Sequence, residues 1–183
     1  METVSFTRME DGTKADYDFL GRLEHVYVSH LPDRILQAVS DLKKSLSGYQ
    51  VTRFEHSLQS ATRAYQDGKD EEYVVAALIH DIGDVLAPLA HGEMVGAIMK
   101  PYFPERLCWI VKYHGVFQLY YYGHHVGADR NARDEWKDHP WYDDCAEFCA
   151  KYDQNCFDPQ FESLPLEFFE PMVRRVFAES RYL

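Results

Sequence analysis

No stretch of the chain approaches 18 consecutive apolar residues, so no segment is expected to cross a bilayer as a helix. The opening METVSFTRMEDGTKADYD has no apolar core of the kind a secretory signal needs. Cysteine is scarce: Cys108, Cys145, Cys149 and Cys156 form no CxxC pair, which argues against a thiolate metal site. The helical spacing of the last three points to buried thiols rather than disulfides. Positive charge is also short, with 19 Lys and Arg against 30 Asp and Glu, a net charge of −11. Such a field repels phosphate backbones, so a nucleic-acid partner is not expected. A small anion is still admissible, because a local pocket can oppose the global field. Internal repeats, low-complexity tracts and convincing period-2 alternation are all missing. A soluble, cytoplasmic protein acting on a small molecule is the expectation, with its oligomeric state left open.

What is present suits one domain. The 183 residues are 46% hydrophobic, and 13 Tyr and 11 Phe provide side chains that bury large areas and line organic-ligand pockets. Residues 1–16 are polar and expected to be flexible, and 17–183 should form a single helical domain. Ile35, Leu36, Val39 and Leu42 make an apolar stripe after Pro32, a good first-turn residue. Thr52 and Glu55 have capping-box spacing ahead of Phe54, Leu58, Ala61 and Tyr65. Residues 71–82 are apolar on nearly every side, which predicts a central helix. Further helices are expected over 91–100, 104–113, 141–157 and 166–179, with 115–139 irregular. The fold class is all-α.

Polar residues recur where a core should be. His80 and Asp81 end the most apolar helix, and burying an imidazole beside a carboxylate is costly unless both are paired or bind a metal. His56 flanks the stripe of Phe54 and Leu58, and His91 follows Asp81 after a short loop. His114 closes the apolar helix containing Leu107, Ile110 and Val111, and Asp153 lies among Cys149, Tyr152 and Cys156. A lone histidine on an apolar face is more often a hydrogen-bonded core residue. Six such residues in series point instead to a metal site, and N/O donors suit iron, zinc or manganese. His124 or His125 is an alternative to His114. His25, His30 and His139 flank polar sequence and read as surface or rim residues.

The order His, His-Asp, then a distant Asp resembles the HD-domain superfamily over most of the chain. The resemblance assigns His56, His80, Asp81 and Asp153 to a first metal. It also implies that His91 and His114 add a second, with Asp81 as the bridge. Phe54-Glu55-His56-Ser57-Leu58-Gln59 and His80-Asp81-Ile82-Gly83 resemble the organophosphonate-cleaving branch of the mixed-valence di-iron oxygenases. Lys112-Tyr113-His114 and Lys151-Tyr152-Asp153 are similar to segments of myo-inositol oxygenase. Two differences set the chain apart from that last family: Asp84 replaces its substrate-contacting lysine, and Gly115 replaces its serine.

This resemblance implies an HD-type helical bundle with two iron ions, Fe(II)/Fe(III), and O2 as co-substrate. Cleavage of the C–P bond of an α-hydroxyphosphonate is the implied reaction, with no catalytic group beyond the metal ligands. Asp84 would suit a cationic substrate end, and the aromatic run Phe117, Tyr120, Tyr121 and Tyr122 could enclose a quaternary ammonium. Tyr49 is a candidate gate or temporary ligand, and with Gln118 and Tyr120 it is a candidate substrate contact. The rival is a metal-dependent phosphohydrolase using the same six ligands. A non-catalytic metal-stabilised binding domain is a third reading.

Overall fold

A computed structural model describes residues 2–182, and among these there are eight α-helices joined by short 3-10 turns, with no β-strand. The helices are α1 (Lys14–Ser29), α2 (Leu31–Asp41), α3 (Arg53–Gln66), α4 (Glu71–Ile79), α5 (His91–Met99), α6 (Glu105–Tyr122), α7 (Tyr142–Tyr152) and α8 (Leu166–Val176). The first starts within the stretch expected to be flexible. Its cause is a capping box: Thr13 accepts from the Asp16 amide while the Asp16 carboxylate accepts from the Thr13 amide.

The centre of the domain is α4. Every residue from Tyr73 to Ile79 is buried. Asp70 caps the helix by accepting from the Tyr73 amide at 2.8 Å. Around it pack α2, α3, α6 and α8. The Thr52–Glu55 box opens α3, with Thr52 accepting from the Glu55 amide at 3.1 Å.

A second property of α3 fixes the site. Its buried face is polar, carrying His56, Ser57, Gln59, Ser60 and Thr62. All of these except Ser57 bond the backbone at the end of α7 or in the irregular segment after it, which has no ladder of its own. Gln59 donates to the Asp158 carbonyl at 2.7 Å and Thr62 accepts from the Leu164 amide at 3.0 Å, while Ser60 donates to the Tyr152 carbonyl. Asp153 is anchored between these points.

Four helix ends differ from expectation, one being that of α8, which stops at Val176 instead of residue 179. The chain leaves α4 at Ile79, so that His80 is its C-cap and Asp81 begins a 3-10 turn over Ile82–Val85. Similarly, α7 stops at Tyr152, placing Asp153 at the C-cap with φ −133° and ψ −72°. In contrast, α6 runs through Gly115 to Tyr122, beyond the expected end at residue 113. One interior glycine costs about 1 kcal/mol, less than the roughly 1.5–3 kcal/mol gained by burying Phe117.

Two glycines set close approaches. A Cβ on Gly83 would lie 2.7 Å from the His91 carbonyl oxygen, and one on Gly92 would lie 2.6 Å from that of Lys112. Both glycines therefore let the start of α5 press against the 82–85 turn and against α6.

Candidate metal centre

Six side chains from five parts of the fold converge: His56 from α3, His80 and Asp81 after α4, His91 from α5, His114 from α6 and Asp153 after α7. They make two groups that share Asp81. In the first, the Nε2 atoms of His56 and His80 are 3.1 Å apart, and each lies 3.5 Å from Asp81 Oδ2. Asp153 Oδ1 stands 3.4 Å from His56 and 3.8 Å from His80. In the second, the Nε2 atoms of His91 and His114 are 3.1 Å apart, at 3.5 and 3.3 Å from Asp81 Oδ1. One carboxylate thus gives a separate oxygen to each group.

The hydrogen bonds around the rings decide what the inward nitrogens are. His56 Nδ1 donates to the Cys156 carbonyl at 3.0 Å, His80 Nδ1 to that of Ala77 at 2.7 Å, and His114 Nδ1 to that of Val111 at 2.6 Å. Carbonyls only accept, so these Nδ1 atoms hold hydrogens, and each Nε2 that carries no proton points a lone pair inward, as a metal ligand must. Lone pairs facing at 3.1 Å repel unless a cation or proton lies between them. Donors about 2.1 Å from a shared ion stand about 3.0–3.4 Å apart, close to the separations seen. Asp153 Oδ2 is buried with no hydrogen-bond partner. The donor set therefore fits two metal ions of the kind nitrogen and oxygen ligands prefer.

Charges inside the cluster are strongly coupled. Burial opposes ionisation of Asp81, yet His80, the hydrogen bond from His114, His56 and Arg53 hold it well below the usual carboxylate range. Burial pushes His80 down to about 4. His114 goes the other way: burial opposes its charge, but the hydrogen bond to Asp81 and the charge of Asp153 raise it to about 9. Burial also pushes the thiol of Cys156 up to about 12, keeping it out of the ligand set.

A pH dependence follows. Metal must displace the proton that His114 holds, so uptake should release a proton and strengthen from about pH 7 towards pH 9. In the metal-free chain the sign reverses. The raised value of His114 contributes stability in full below 6.5 and loses it as pH rises through about 9. Manganese titrations in two buffers of different ionisation enthalpy test this, and an affinity indifferent to pH would contradict it.

Above the ions' positions opens a cavity of about 260 Å³, lined by Asp81, His91, His114, Gly115 and Asp153 at the metal end. Tyr49, Arg53, Gln118, Tyr121, Tyr122, Gln154 and Phe157 form the rest. Phe157 stacks between Tyr49, at 4.8 Å, and the His56 ring, at 4.4 Å. Two of the four candidate substrate contacts, Tyr49 and Gln118, line this cavity, but Tyr120 does not. It packs under Arg130 and Arg133, whose guanidinium carbons lie 4.7 and 3.7 Å from its ring centre.

Phe117 turns into the core against Tyr142 and Trp109. Asp84 also does not line the cavity: Oδ1 lies 3.3 Å from His91 Nδ1 and Oδ2 lies 3.3 Å from Arg53 Nε. His124 and His125 are exposed and lie against each other with their rings tilted, and His139 stacks on Trp109, so none joins the cluster. Sequence reasoning left the direction of Arg53 open. Its position three residues before His56, on the same helical face as that ligand, was the available signal.

The fold and the cluster define an all-helical protein with a buried histidine and aspartate centre. Residues 53–136 match the family model of the HD domain, which carries His56, His80, Asp81, His91 and His114. A [1-hydroxy-2-(trimethylamino)ethyl]phosphonate dioxygenase (glycine-betaine-forming) from Leisingera caerulea is 34% identical to this chain over 84 residues. The match covers 40% of this chain and 43% of that protein, so the chain spans less than half the length of this relative. The chain is thus similar to the HD domain over residues 53–136 and, in part, to a phosphonate dioxygenase. Among the described residues, no helix is long and apolar enough to cross a membrane.

Proposed function

We propose that the chain is a di-iron oxygenase that uses O2 to cleave the C–P bond of an α-hydroxyphosphonate with a cationic amino or trimethylammonio end. One such substrate is 1-hydroxy-2-(trimethylammonio)ethylphosphonate, and the products would be phosphate and a carboxylic acid such as glycine betaine or glycine. The observation that carries this reading is the pair of subsites joined through the two oxygens of Asp81 on the floor of a small cavity. Partial similarity to a phosphonate dioxygenase supports it.

His56, His80, Asp81 and Asp153 would hold one ion, and His91, His114 and Asp81 the other. An Fe(II)/Fe(III) pair held there would supply the redox chemistry. The chain's own residues bind, orient and exclude water. Arg53 offers an anionic group a partner beside the ligands, and Tyr121 and Tyr122 offer ring faces to a quaternary ammonium. The reaction balances with one O2 and no external reductant. The C–P bond breaks, the carbinol carbon is oxidised to a carboxyl group, phosphorus leaves as phosphate, and the products retain both added oxygen atoms.

Aerobically purified protein should contain about two irons per chain and give a coupled Fe(II)/Fe(III) signal by electron paramagnetic resonance. It should consume O2 with an α-hydroxyphosphonate. The second reading, a metal-dependent phosphohydrolase, is favoured by Arg53, the basic residue a phosphoester needs near the ions. Protein that hydrolyses phosphoesters with manganese and never consumes O2 would establish that reading and sink the first.

A further inference from the structure

We propose that Arg53 and Asp84 act as one device: Arg53 anchors the ligand's oxyanion beside the metals, and Asp84 aims both Arg53 and the metal ligand His91. Anion binding and occupancy of the second subsite would then be coupled. This rests on reading the cavity as the active site. It does not depend on whether the reaction is oxygenation or hydrolysis.

Arg53 is the only lysine or arginine lining the cavity. A guanidinium has five donors, but one hydrogen bond engages this side chain, from Nη1 to Asp81 Oδ2 at 3.1 Å. Nε is buried near Asp84 without a hydrogen bond of acceptable geometry. The group is held in place by Tyr49 and Phe157, whose ring centres lie 5.2 and 5.8 Å from its central carbon. Its side chain is 18% exposed, so an anion meeting it would be largely desolvated, where a charge-assisted bond is strongest.

Metal binding changes what Arg53 must neutralise. In the metal-free cluster it faces the carboxylates of Asp81 and Asp84, with Asp153 nearby. Two divalent ions outweigh those three carboxylates and occupy both oxygens of Asp81. The cavity then becomes net positive, and the forked donors of Arg53 are free for a dianionic group. A phosphonate or phosphate has that charge and shape.

Asp84 supplies the coupling. Backbone carbonyls orient the rings of His56, His80 and His114. Of the four rings, His91 alone faces a side chain at Nδ1, the Asp84 carboxylate at 3.3 Å, and it is also the most exposed at 24%. The same carboxylate gives its other oxygen to Arg53. A shift of Arg53 towards a ligand is therefore felt at His91, and an emptied second subsite is felt at Arg53.

The test titrates methylphosphonate into metal-loaded protein by calorimetry, with inorganic phosphate as a second arm, alongside metal content and melting temperature. Arg53→Gln should keep both metals and bind methylphosphonate about 10- to 100-fold more weakly. Arg53→Lys should fall between, because one ammonium replaces the fork. Asp84→Asn should lower metal content from two towards one and weaken the anion as well. Equal affinity in Arg53→Gln and wild type overturns the anchor. If that variant fails to fold, unchanged binding in Arg53→Lys overturns it instead. Asp84→Asn with two metals and wild-type affinity overturns the coupling. Equal binding of phosphate and methylphosphonate assigns the site to the oxyanion alone, and tighter methylphosphonate adds recognition of the carbon. These readouts need no turnover, so they stand apart from the O2-consumption test of function.

Discussion

Asp81→Asn should empty both metal subsites at once, the largest effect expected of any single substitution. The carboxylate gives Oδ2 to the His56–His80 group and Oδ1 to the His91–His114 group. An amide keeps one oxygen, with no charge, and turns an NH2 donor towards the other subsite, where a cation belongs. Activity should fall by more than about 100-fold, since changes outside the ligand shell alone reach that size. The protein should also melt earlier. A ligand at 1,000 times its Kd contributes about 4 kcal/mol of stability, and that contribution goes with the metals. The substitution also leaves the buried His114 without the carboxylate it faces at 3.3 Å. Metal analysis and calorimetry on the same preparation check both parts. A variant that keeps two ions at full occupancy would show that Asp81 is not the bridge.

His114→Ala should divide the centre instead of abolishing it. The first subsite keeps His56, His80, Asp81 Oδ2 and Asp153, a four-ligand set buried in the core. The second is reduced to His91 and one oxygen of Asp81, too few donors to hold an ion firmly. One metal per chain is expected, with O2-dependent turnover reduced by more than about 100-fold. Hydrolysis that needs only one ion would survive. The same variant assayed for O2 consumption and for phosphoester hydrolysis therefore separates the two readings of the site. Survival of full O2 consumption with one ion bound would overturn the two-metal requirement.

The legible part of this protein was its periodicity and its anomalies. The capping pair Thr52 and Glu55, the apolar run before His80 and the all-helical class all depend on residues close in sequence. Such local interactions are visible in one dimension. His80-Asp81 stood out because polar residues at the end of a buried helix demand partners, and the other four donors each sat beside an apolar face.

Direction was not legible. Tyr120 and Tyr121 are neighbours on α6, yet Tyr121 lines the cavity and Tyr120 lies under two arginines, because one residue turns a helix by about 100°. Helix α6 continues past Gly115 because Phe117 meets Tyr142 and Trp109, contacts made across the fold. The polar face of α3 is buried because it bonds the backbone of the 152–164 stretch, about a hundred residues away in the chain.

By itself, then, the sequence determined the all-helical class, the central α4 and the residue types able to hold metal. Local propensity and the cost of burying polar groups act on each segment alone. Only the tertiary structure decided that Asp81 presents one oxygen to each histidine pair. It also decided that Arg53, not Asp84, faces the cavity, and that Asp84 ties Arg53 to His91. Those relations join α3, α5 and the turn between α4 and α5. Only packing, set by the close approaches at Gly83 and Gly92, fixes the distances between them.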